Sequence, residues 1–460
     1  MQRINAIVTL TWKAAFRYRL FWVLAALLVS AVVGLPLLIK DDGTARGFTQ
    51  ILLTYTLSAI TALLGIATLW LACGTLARDV EEAQIQMVAV KPIARWQIWI
   101  GKWLGILTLN ALLLAIAGGS VYFLLQWRAN RLSPEQQAIL RNEVLVARAS
   151  VKEVLPDFSN AVEAELQKRL QKSSVNPVDI PEIRKQIEAQ IKSGIQSVRA
   201  DGYRPWRIDL GRAKDSLRDQ PLFLRVKFFT AQNNPSGAFI GLWQVGNPET
   251  KRVWRSEPMS LAPETFHEFP IPPNLFDTNG ILDVVFGNGN QETLMFPLED
   301  GFEVLYRESS FGLNFARGLG IIFFWLALLA ALGLAAASFL SFPVAAFVSL
   351  SVLMIGLSSG TLANVVQEGT IMGVDHETGV AKGGSILDLV MVPVFRGMLK
   401  IINLVQNFSP IDSLSTGRSI TWTQLGLAAV QIVLLLGGIL AAIGIFTFSR
   451  RELATAQGNS

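Results

Sequence analysis

Six long uncharged apolar runs alternate with charged segments along this chain. Each run has enough residues to cross a hydrocarbon layer of about 30 Å as a single helix. The runs are Leu20 to Ile39, Ile51 to Ala77, Leu104 to Leu125, Leu319 to Leu340, Val344 to Val366 and Leu425 to Phe448. The pattern predicts a polytopic α-helical membrane protein with six transmembrane helices.

The chain between the third and fourth runs has the pattern of a water-exposed domain. Residues 128–202 carry helix-start signals, such as Ser133 before Pro134, and thin apolar stripes, which are typical of a helical stalk. Residues 203–312 change to apolar-polar alternation, as around Arg225, with turn signals between short apolar segments. We therefore predict an α+β extracytoplasmic domain, in which a helical stalk is followed by an antiparallel β-sandwich.

Two membrane halves frame this insertion. Residues 1–127 hold an amphipathic N-terminal helix and spans one to three, and residues 313–460 hold spans four to six. A further apolar stretch at 386–405 carries three charges and the interior Pro393. Those features argue against a seventh span, so we predict a re-entrant or interfacial helix near the outer mouth.

Composition and charge place the chain in a bilayer with a defined orientation. Hydrophobic residues make up 51% of the chain and charged residues only 16%, against about a quarter in soluble proteins. Basic residues precede span one, flank the segment between spans two and three, and follow span six as Arg450 and Arg451. Since basic loops stay in the cytoplasm, both termini are predicted to be cytoplasmic and residues 128–312 extracytoplasmic.

The sequence contains few features that indicate catalytic activity. The chain has one cysteine and two histidines, and it lacks the phosphate-binding loop of P-loop ATPases and the common hydrolase motifs. The triplet Asp375, His376 and Glu377 is interpreted as a solvated loop, so no metal site is predicted. None of the six runs contains Asp, Glu, Lys, Arg or His, which argues against an ion gradient as the energy source. We predict no enzyme activity in this chain.

The segment between spans two and three concentrates charge and tryptophan. A short helix is predicted over 78–90, since Asp79 and Glu81 would complement its positive N-terminal end and Pro92 would stop it. Its narrow apolar stripe includes Met87, which indicates a docking element. The residues after it are interpreted as membrane-interface anchors. These anchors are Lys91, Arg95, Trp96, Trp99, Lys102 and Trp103.

Small and hydroxylated residues line one face of span two. They are Thr54, Ser58, Thr61, Gly65 and Thr68. Such seams let helices approach closely and hydrogen-bond across the contact. Packing within the bundle is the simpler interpretation, and a dimer interface or the wall of a translocation pathway stays open as the alternative.

Several motifs give the chain a family resemblance. The acidic pair Glu81 and Glu82, the corner from Lys91 to Arg95 (KPIAR) and the pair Gly101 and Lys102 stand in order between spans two and three. The sequences SSFGLNFARGLG and FLSFPVAA stand at and after span four. With these motifs the chain resembles ABC transporter permease subunits of the ABC-2 exporter class. It is most similar to the group of multicopper-enzyme-maturation and gliding-motility permeases, although compact members have only a short loop where this chain has its insertion.

The resemblance implies how the chain would work. Residues 78–90 would be a coupling helix seated in a separate ABC ATPase subunit, with Arg78, Asp79, Glu81, Glu82 and Met87 at the contact. ATP and Mg would bind that partner, and this chain would hold no cofactor. A second permease protomer, the same or a related chain, would complete the unit in the bilayer of a bacterial inner membrane. No nucleic-acid partner is expected.

Two functions follow from this resemblance. The first is export or extraction of a substrate, driven by ATP hydrolysis in the partner subunit. The alternative is a mechanotransmission or assembly device, in which the same stroke acts on periplasmic partners through the outer domain and nothing crosses the bilayer. A ligand-binding receptor is a third class, but the cytoplasmic segments are too short for an output domain.

Overall fold

The computed structural model describes most of the chain and divides it into two compact units. The described residues are 2–17, 20–38, 44–81, 93–130, 132–140, 144–155, 157–172, 180–230, 237–246, 252–371 and 386–451. One unit, here the helical unit, comprises Met1–Ala147 and Ser309–Ser460, and the other, the inserted unit, comprises Arg148–Glu308. The sequence predicts the insertion over 128–312, and the inserted unit covers 148–308 of that stretch.

The described residues form the following helices. They are α1 Gln2–Arg17, α2 Leu20–Leu38, α3 Ala45–Glu81, α4 Arg95–Ala129, α5 Pro134–Ile139, α6 Ser159–Lys172, α7 Ile180–Gln196, α8 Phe311–Ala337, α9 Phe342–Leu357, α10 Ser359–Glu368, α11 Ile386–Gln406, α12 Pro410–Ser415 and α13 Trp422–Arg450. A stretch of π-helix, Ala429–Gly437, lies inside α13. Helix α11 coincides with the extra helix predicted at 386–405.

Four helices in the described part of the chain are long and apolar enough to cross a membrane, and they lie in α3, α4, α8 and α13. The stretch of the fifth predicted span forms α9 and α10, which meet at a bend of 57° and make either one broken span or a re-entrant loop. Ser358 leaves helical geometry at the bend, in a Ser-Ser-Gly sequence of the kind that kinks helices. The apolar part of α2 is the shorter Trp22–Leu35. The chain is thus a membrane-type helical protein, and six spans remain a prediction.

Helix α1 packs by its apolar face. Ile7 and Thr11 are both 4% exposed. They lie against Gly101 and Gly105 of α4, where an added Cβ would come within 2.8 Å and 2.7 Å of them, respectively. The amphipathic helix predicted from the sequence is therefore present, and its apolar stripe is covered by α4.

Glycines also set the contact between α3 and α8. A Cβ on Gly333 would lie 2.7 Å from the Cβ of Ala72 and 3.2 Å from the carbonyl oxygen of Leu69. Close approach of this kind is how small residues join membrane helices. Gly119 on α4 has nothing within 4 Å of such a Cβ, and it serves as a matched control.

Gly333→Ala is expected to lower the free energy of unfolding by about 1–2 kcal/mol, because neither a helix carbonyl nor a Cβ can rotate away from the new methyl group. Gly119→Ala is expected to have no cost or to stabilise by up to about 1 kcal/mol through helix propensity. Thermal unfolding of both variants in detergent measures the difference. Equal midpoints would contradict the close approach of α3 and α8.

The inserted unit is built from short strands and a helical hairpin. The strands are β1 Val146–Val151, β2 Ser197–Val198, β3 Tyr203–Asp209, β4 Leu222–Val226, β5 Phe229–Thr230, β6 Phe239–Val245, β7 Trp254–Arg255, β8 Met259–Leu261, β9 His267–Ile271, β10 Ile281–Asn288, β11 Leu294–Met295 and β12 Phe302–Ser310. They form sheets in the orders β1-β12-β4-β9, β3-β10-β6-β7 with β8 also on β6, and β2-β11-β5. Strand β1 lies in the stretch predicted to be helical, so that part of the prediction is wrong.

The two larger sheets share one hydrophobic core. Trp206 and Trp243 are 2% and 1% exposed, and their rings stack with centroids 5.9 Å apart. Leu224 of the first sheet and Val284 of the second are fully buried in the same cluster. The two tryptophans thus belong to the hydrophobic core and not to a ligand-binding surface.

A row of charged residues crosses the first sheet on the face opposite this core. The register places Glu303, Arg225 and Glu268 side by side on β12, β4 and β9. Arg148 on β1 makes an ion pair with Glu268, with side chains only 5% and 8% exposed. Arg225 Nη1 lies 3.4 Å from Glu303, which is 1% exposed. Two arginines and two glutamates therefore neutralise one another in a buried row.

Glu153 lies beside the buried Arg204, with 3.7 Å between the carboxylate and the guanidinium. Burial raises the pKa of Glu153, and the charge of Arg204 lowers it less. A raised folded-state pKa means that this contribution to stability is present below the unfolded value of about 4.3 and is lost as the pH rises through the folded value. Glu153→Gln should remove this pH dependence, and Glu257→Gln, at an exposed position, should not. Hydrogen exchange of β3 in the full-length protein between pH 4 and 7 measures it.

Candidate functional site

The ends of several helices meet where α3 stops and α4 starts. Lys102 of α4 places its Nζ 2.5 Å from Asp79 Oδ2 and donates a hydrogen bond to the Thr75 carbonyl at 2.7 Å. Its side chain is 9% exposed, and that of Asp79 is 34% exposed. A cation at the last turn of α3 also complements the negative end of the helix dipole. The pair therefore fixes the C-terminal end of α3 against α4.

Two further residues of the last turn of α3 contact the start of α9. The backbone N–H of Phe342 donates to Glu81 Oε1 at 2.8 Å, so a carboxylate caps the N-terminal end of α9. The guanidinium of Arg78 lies 4.4 Å from the centre of the Phe342 ring. Both contacts join α3 to the hairpin between α8 and α9.

Arginines cap the C-terminal ends of α13 and α8. Arg95, the first residue of α4, donates to the carbonyls of Phe448, Ser449 and Arg451 at 3.0, 2.9 and 2.7 Å. Arg451 in turn donates to the carbonyls of Ala337 and Ser338 at 3.4 and 3.3 Å. Carbonyls at the C-terminal end of a helix lack partners within that helix, so a guanidinium satisfies them and complements the dipole.

Together these contacts form what we call the hinge network. Its members are Arg78, Asp79, Glu81, Arg95, Lys102, Phe342 and Arg451. They join α3, α4, α8, α9 and α13, and residues 82–92, between α3 and α4 in sequence, lie outside the described residues. Its ion pair and helix caps connect the ends of these five helices to one another.

The structure corrects the predicted start of the coupling helix. Arg78, Asp79 and Glu81 lie in the last turn of α3 and not in the first turn of a separate helix. Nothing in the sequence breaks the helix between the apolar run and Glu81, and Lys102 compensates the charge of Asp79 there. The other predicted coupling residues, Glu82 and Met87, lie outside the described residues.

The predicted membrane-interface anchors are largely internal. Trp99 is fully buried, and Trp103 Nε1 donates to the carbonyl of Ala327 at 3.0 Å. Lys102 is also buried, so the structure places Trp99 and Lys102 inside the helical unit rather than at a headgroup surface, whereas Arg95 and Trp103 are half-buried. Trp96 is 48% exposed and fits an anchor. Lys91 lies outside the described residues.

The sequence contained a signal for this outcome. Arg95, Trp99, Lys102 and Trp103 have the spacing i, i+4, i+7, i+8 of a single helix face. A face with this spacing packs against other helices, whereas Trp96 falls beside it. Helix α4 extends beyond the predicted third span at its N-terminal end and there includes the buried Lys102.

The small-residue seam of α3 divides into two parts. Thr68 accepts a hydrogen bond from the amide of Asn110 at 2.8 Å, and a Cβ on Gly65 would lie 3.3 Å from Leu329, so this part packs within the bundle. Thr54 is half-buried and Ser58 is exposed. Thr61 has a buried hydroxyl with no hydrogen-bond partner among the described residues. The part from Thr54 to Thr61 therefore keeps the alternative of an interface or pathway open.

Comparison with family models, with curated proteins and with solved structures finds no match. The resemblance to ABC permeases therefore rests on the motifs and on the arrangement of spans. No group of three or more His, Cys, Asp or Glu side chains that could hold a metal ion occurs among the described residues. The triplet from Asp375 to Glu377 lies outside them.

Proposed function

We propose that this chain is the permease subunit of an ATP-driven ABC exporter in a bacterial inner membrane. The hinge network is the observation that supports this proposal most strongly. A partner ATPase that pushed residues 82–92 would move Glu81 and Arg95 on either side of them. Because those residues hold the start of α9 and the end of α13, the push would reach four helices besides α3.

In the proposed mechanism, a movement of the partner ATPase is transmitted to the membrane helices. Asp79 and Lys102 keep α3 and α4 together, so the two helices would tilt as one body. Phe342 would carry the movement into the broken α9 and α10, whose 57° bend gives that pair a point at which to flex. A second permease protomer would supply the other wall of a pathway, with Thr54 and Ser58 on the facing seam.

A second function is favoured by the closed part of the seam. Gly65 and Thr68 are buried against other helices, which argues against a polar path through the middle of one protomer. In this alternative the same stroke is passed to the inserted unit and to periplasmic partners, and no substrate crosses the bilayer.

The test of the proposal is reconstitution of the full-length chain in lipid nanodiscs with an ABC-type ATPase of the same genome. We expect stable association and stimulated ATP hydrolysis for the wild type. Glu81→Lys with Glu82→Lys should weaken association about tenfold or more, because like charges would then face a site built for acids. Glu135→Lys, at an exposed position on α5, is the matched charge reversal and should leave association unchanged.

Ser58→Cys separates the two functions. The only native cysteine, Cys73, is buried, so a water-soluble maleimide should label position 58 selectively. A labelling rate that changes between nucleotide-free and ATP-bound states would support an opening pathway. A constant rate together with stimulated ATPase activity would favour mechanotransmission, and absence of association with the ATPase would contradict both.

A further inference from the structure

Arg317 is a buried cation near the start of α8, at the end of the helical unit remote from the hinge network. Arg317 is only 5% exposed, and its Nη1 donates a hydrogen bond to the carbonyl oxygen of Ile420 at 2.6 Å. Its Nε is buried and has no hydrogen-bond partner, and in the described part of the chain Arg317 makes no ion pair. A buried charge without a counter-charge is costly, so an anion is the expected complement.

The turn that faces Arg317 is held firmly in place. The Asn314 amide donates to the carbonyl of Arg418 at 2.8 Å and accepts from the backbone N–H of Ile420 at 2.7 Å. Gly318 leaves room for Leu414, which lies just before this turn, since a Cβ on Gly318 would lie 2.5 Å from the Leu414 side chain. The hydroxyl of Ser419, on the same turn, is also buried without a hydrogen-bond partner. Two unused donors are thus fixed on neighbouring elements.

Trp422 lies on the exposed side of the site around Arg317. It is the first residue of α13, it is 63% exposed, and the Arg317 guanidinium lies 4.8 Å from the centre of its ring. Thr421 caps the helix by accepting from the backbone N–H of Gln424. The N-terminal end of a long helix adds positive potential of the same sign as Arg317.

We propose that Arg317, Ser419 and Trp422 bind the phosphate of a phospholipid headgroup. A guanidinium with free N–H groups matches phosphate oxygens, and a tryptophan at a helix start is typical of headgroup depth. Beyond Trp422 the helix exposes Leu427, Val430 and Leu434, which are 47%, 53% and 69% exposed and can face the acyl chains. The site does not depend on the proposed ATPase partner.

The experiment is a titration of the delipidated full-length protein, followed by native mass spectrometry. The probes are phosphatidylglycerol, diacylglycerol with the same acyl chains, and inorganic phosphate. We expect phosphatidylglycerol to bind and diacylglycerol, which lacks the phosphate, to bind at least tenfold more weakly. Arg317→Gln should weaken phosphatidylglycerol binding about tenfold or more, since hydrogen bonds to charged groups are the strong ones. Arg396→Gln, exposed on α11, is the matched control and should change binding less than twofold.

Two milder variants keep the proposal testable if Arg317→Gln fails to fold. Arg317→Lys retains the charge without the planar fork, and Ser419→Ala removes one donor, so each should weaken binding about threefold. Unchanged affinity in both variants, or equal binding of diacylglycerol, would overturn the proposal. Saturation by inorganic phosphate at the affinity of the lipid would overturn the lipid as the source of the phosphate.

Discussion

Arg148→Met is expected to lower the free energy of unfolding of the inserted unit by about 3–5 kcal/mol, the usual cost of removing one partner of a buried ion pair. Glu268 and Glu303 are both buried in the same row, and Arg225 would then be the single arginine left between them. A net negative charge would stay buried on that sheet. The chain has one cysteine, which lies outside this unit, so no disulfide can hold the strands meanwhile.

Hydrogen exchange of β4 and β9 in the full-length protein measures this loss. The double variant Arg148→Met with Glu268→Leu should recover most of the stability, because an apolar pair of similar volume replaces the buried charges. Arg207→Met is the control, since Arg207 pairs with Asp283 on the solvent side and its side chain is 72% exposed. A loss below about 1 kcal/mol for Arg148→Met, the range of surface pairs, would show that the row is not buried.

The sequence predicted the elements whose pattern is local. Strands β3, β6 and β10 alternate buried and exposed residues, and this period was visible in the residues alone. The sequence does not predict strand β12 because it begins with four consecutive buried residues, Glu303 among them. The charge of Glu303 on β12 is neutralised by Arg225 on β4. The residues of β12 alone do not indicate this pairing, so Glu303 does not look like a buried residue in the sequence.

The ends of the helices are also hard to predict, because they depend on contacts with residues that are distant in sequence. Hydropathy started the third span at Leu104, whereas α4 begins at Arg95. The charged residues between them lie inside the helix because each has a partner on a different helix, such as Asp79 for Lys102. Pairing between residues that are distant in sequence cannot be recognised in a single sequence. A charged segment is therefore predicted to be exposed even where partners on other helices bury it.

The candidate site shows both outcomes. The sequence predicts that the segment from Arg78 to Lys102 joins spans two and three, and its described parts lie in α3 and α4. It assigned the contacts to an ATPase and to lipid, and the structure adds internal contacts for Asp79, Glu81 and Arg95 that the residues alone did not indicate. These two roles are compatible, because a joint must be fixed to the helices that it moves.

Asp79→Leu is expected to lower the free energy of unfolding of the helical unit by about 3 kcal/mol, since it leaves Lys102 charged in a site that is 9% exposed. Thermal unfolding of the full-length protein in detergent measures the loss. Lys102→Met should cost less, because Asp79 is 34% exposed and water can solvate its carboxylate. Asp215→Leu, at a side chain 72% exposed, is the control for loss of an aspartate.

The double variant Asp79→Leu with Lys102→Met distinguishes a structural pair from a transmitting one. Its stability should return to within about 1 kcal/mol of the wild type, because apolar contacts replace the buried pair. Two helices joined by an apolar contact can shift relative to each other, whereas the ion pair between Asp79 and Lys102 holds them in one position. Without the pair, α3 and α4 would no longer have to tilt together. We therefore expect the refolded double variant to bind the partner ATPase normally and to lose most of the coupling between ATP hydrolysis and the change in labelling at Ser58→Cys. Retention of full coupling at restored stability would show that the pair only holds the fold, and that transmission passes through Glu81 and Arg95 instead.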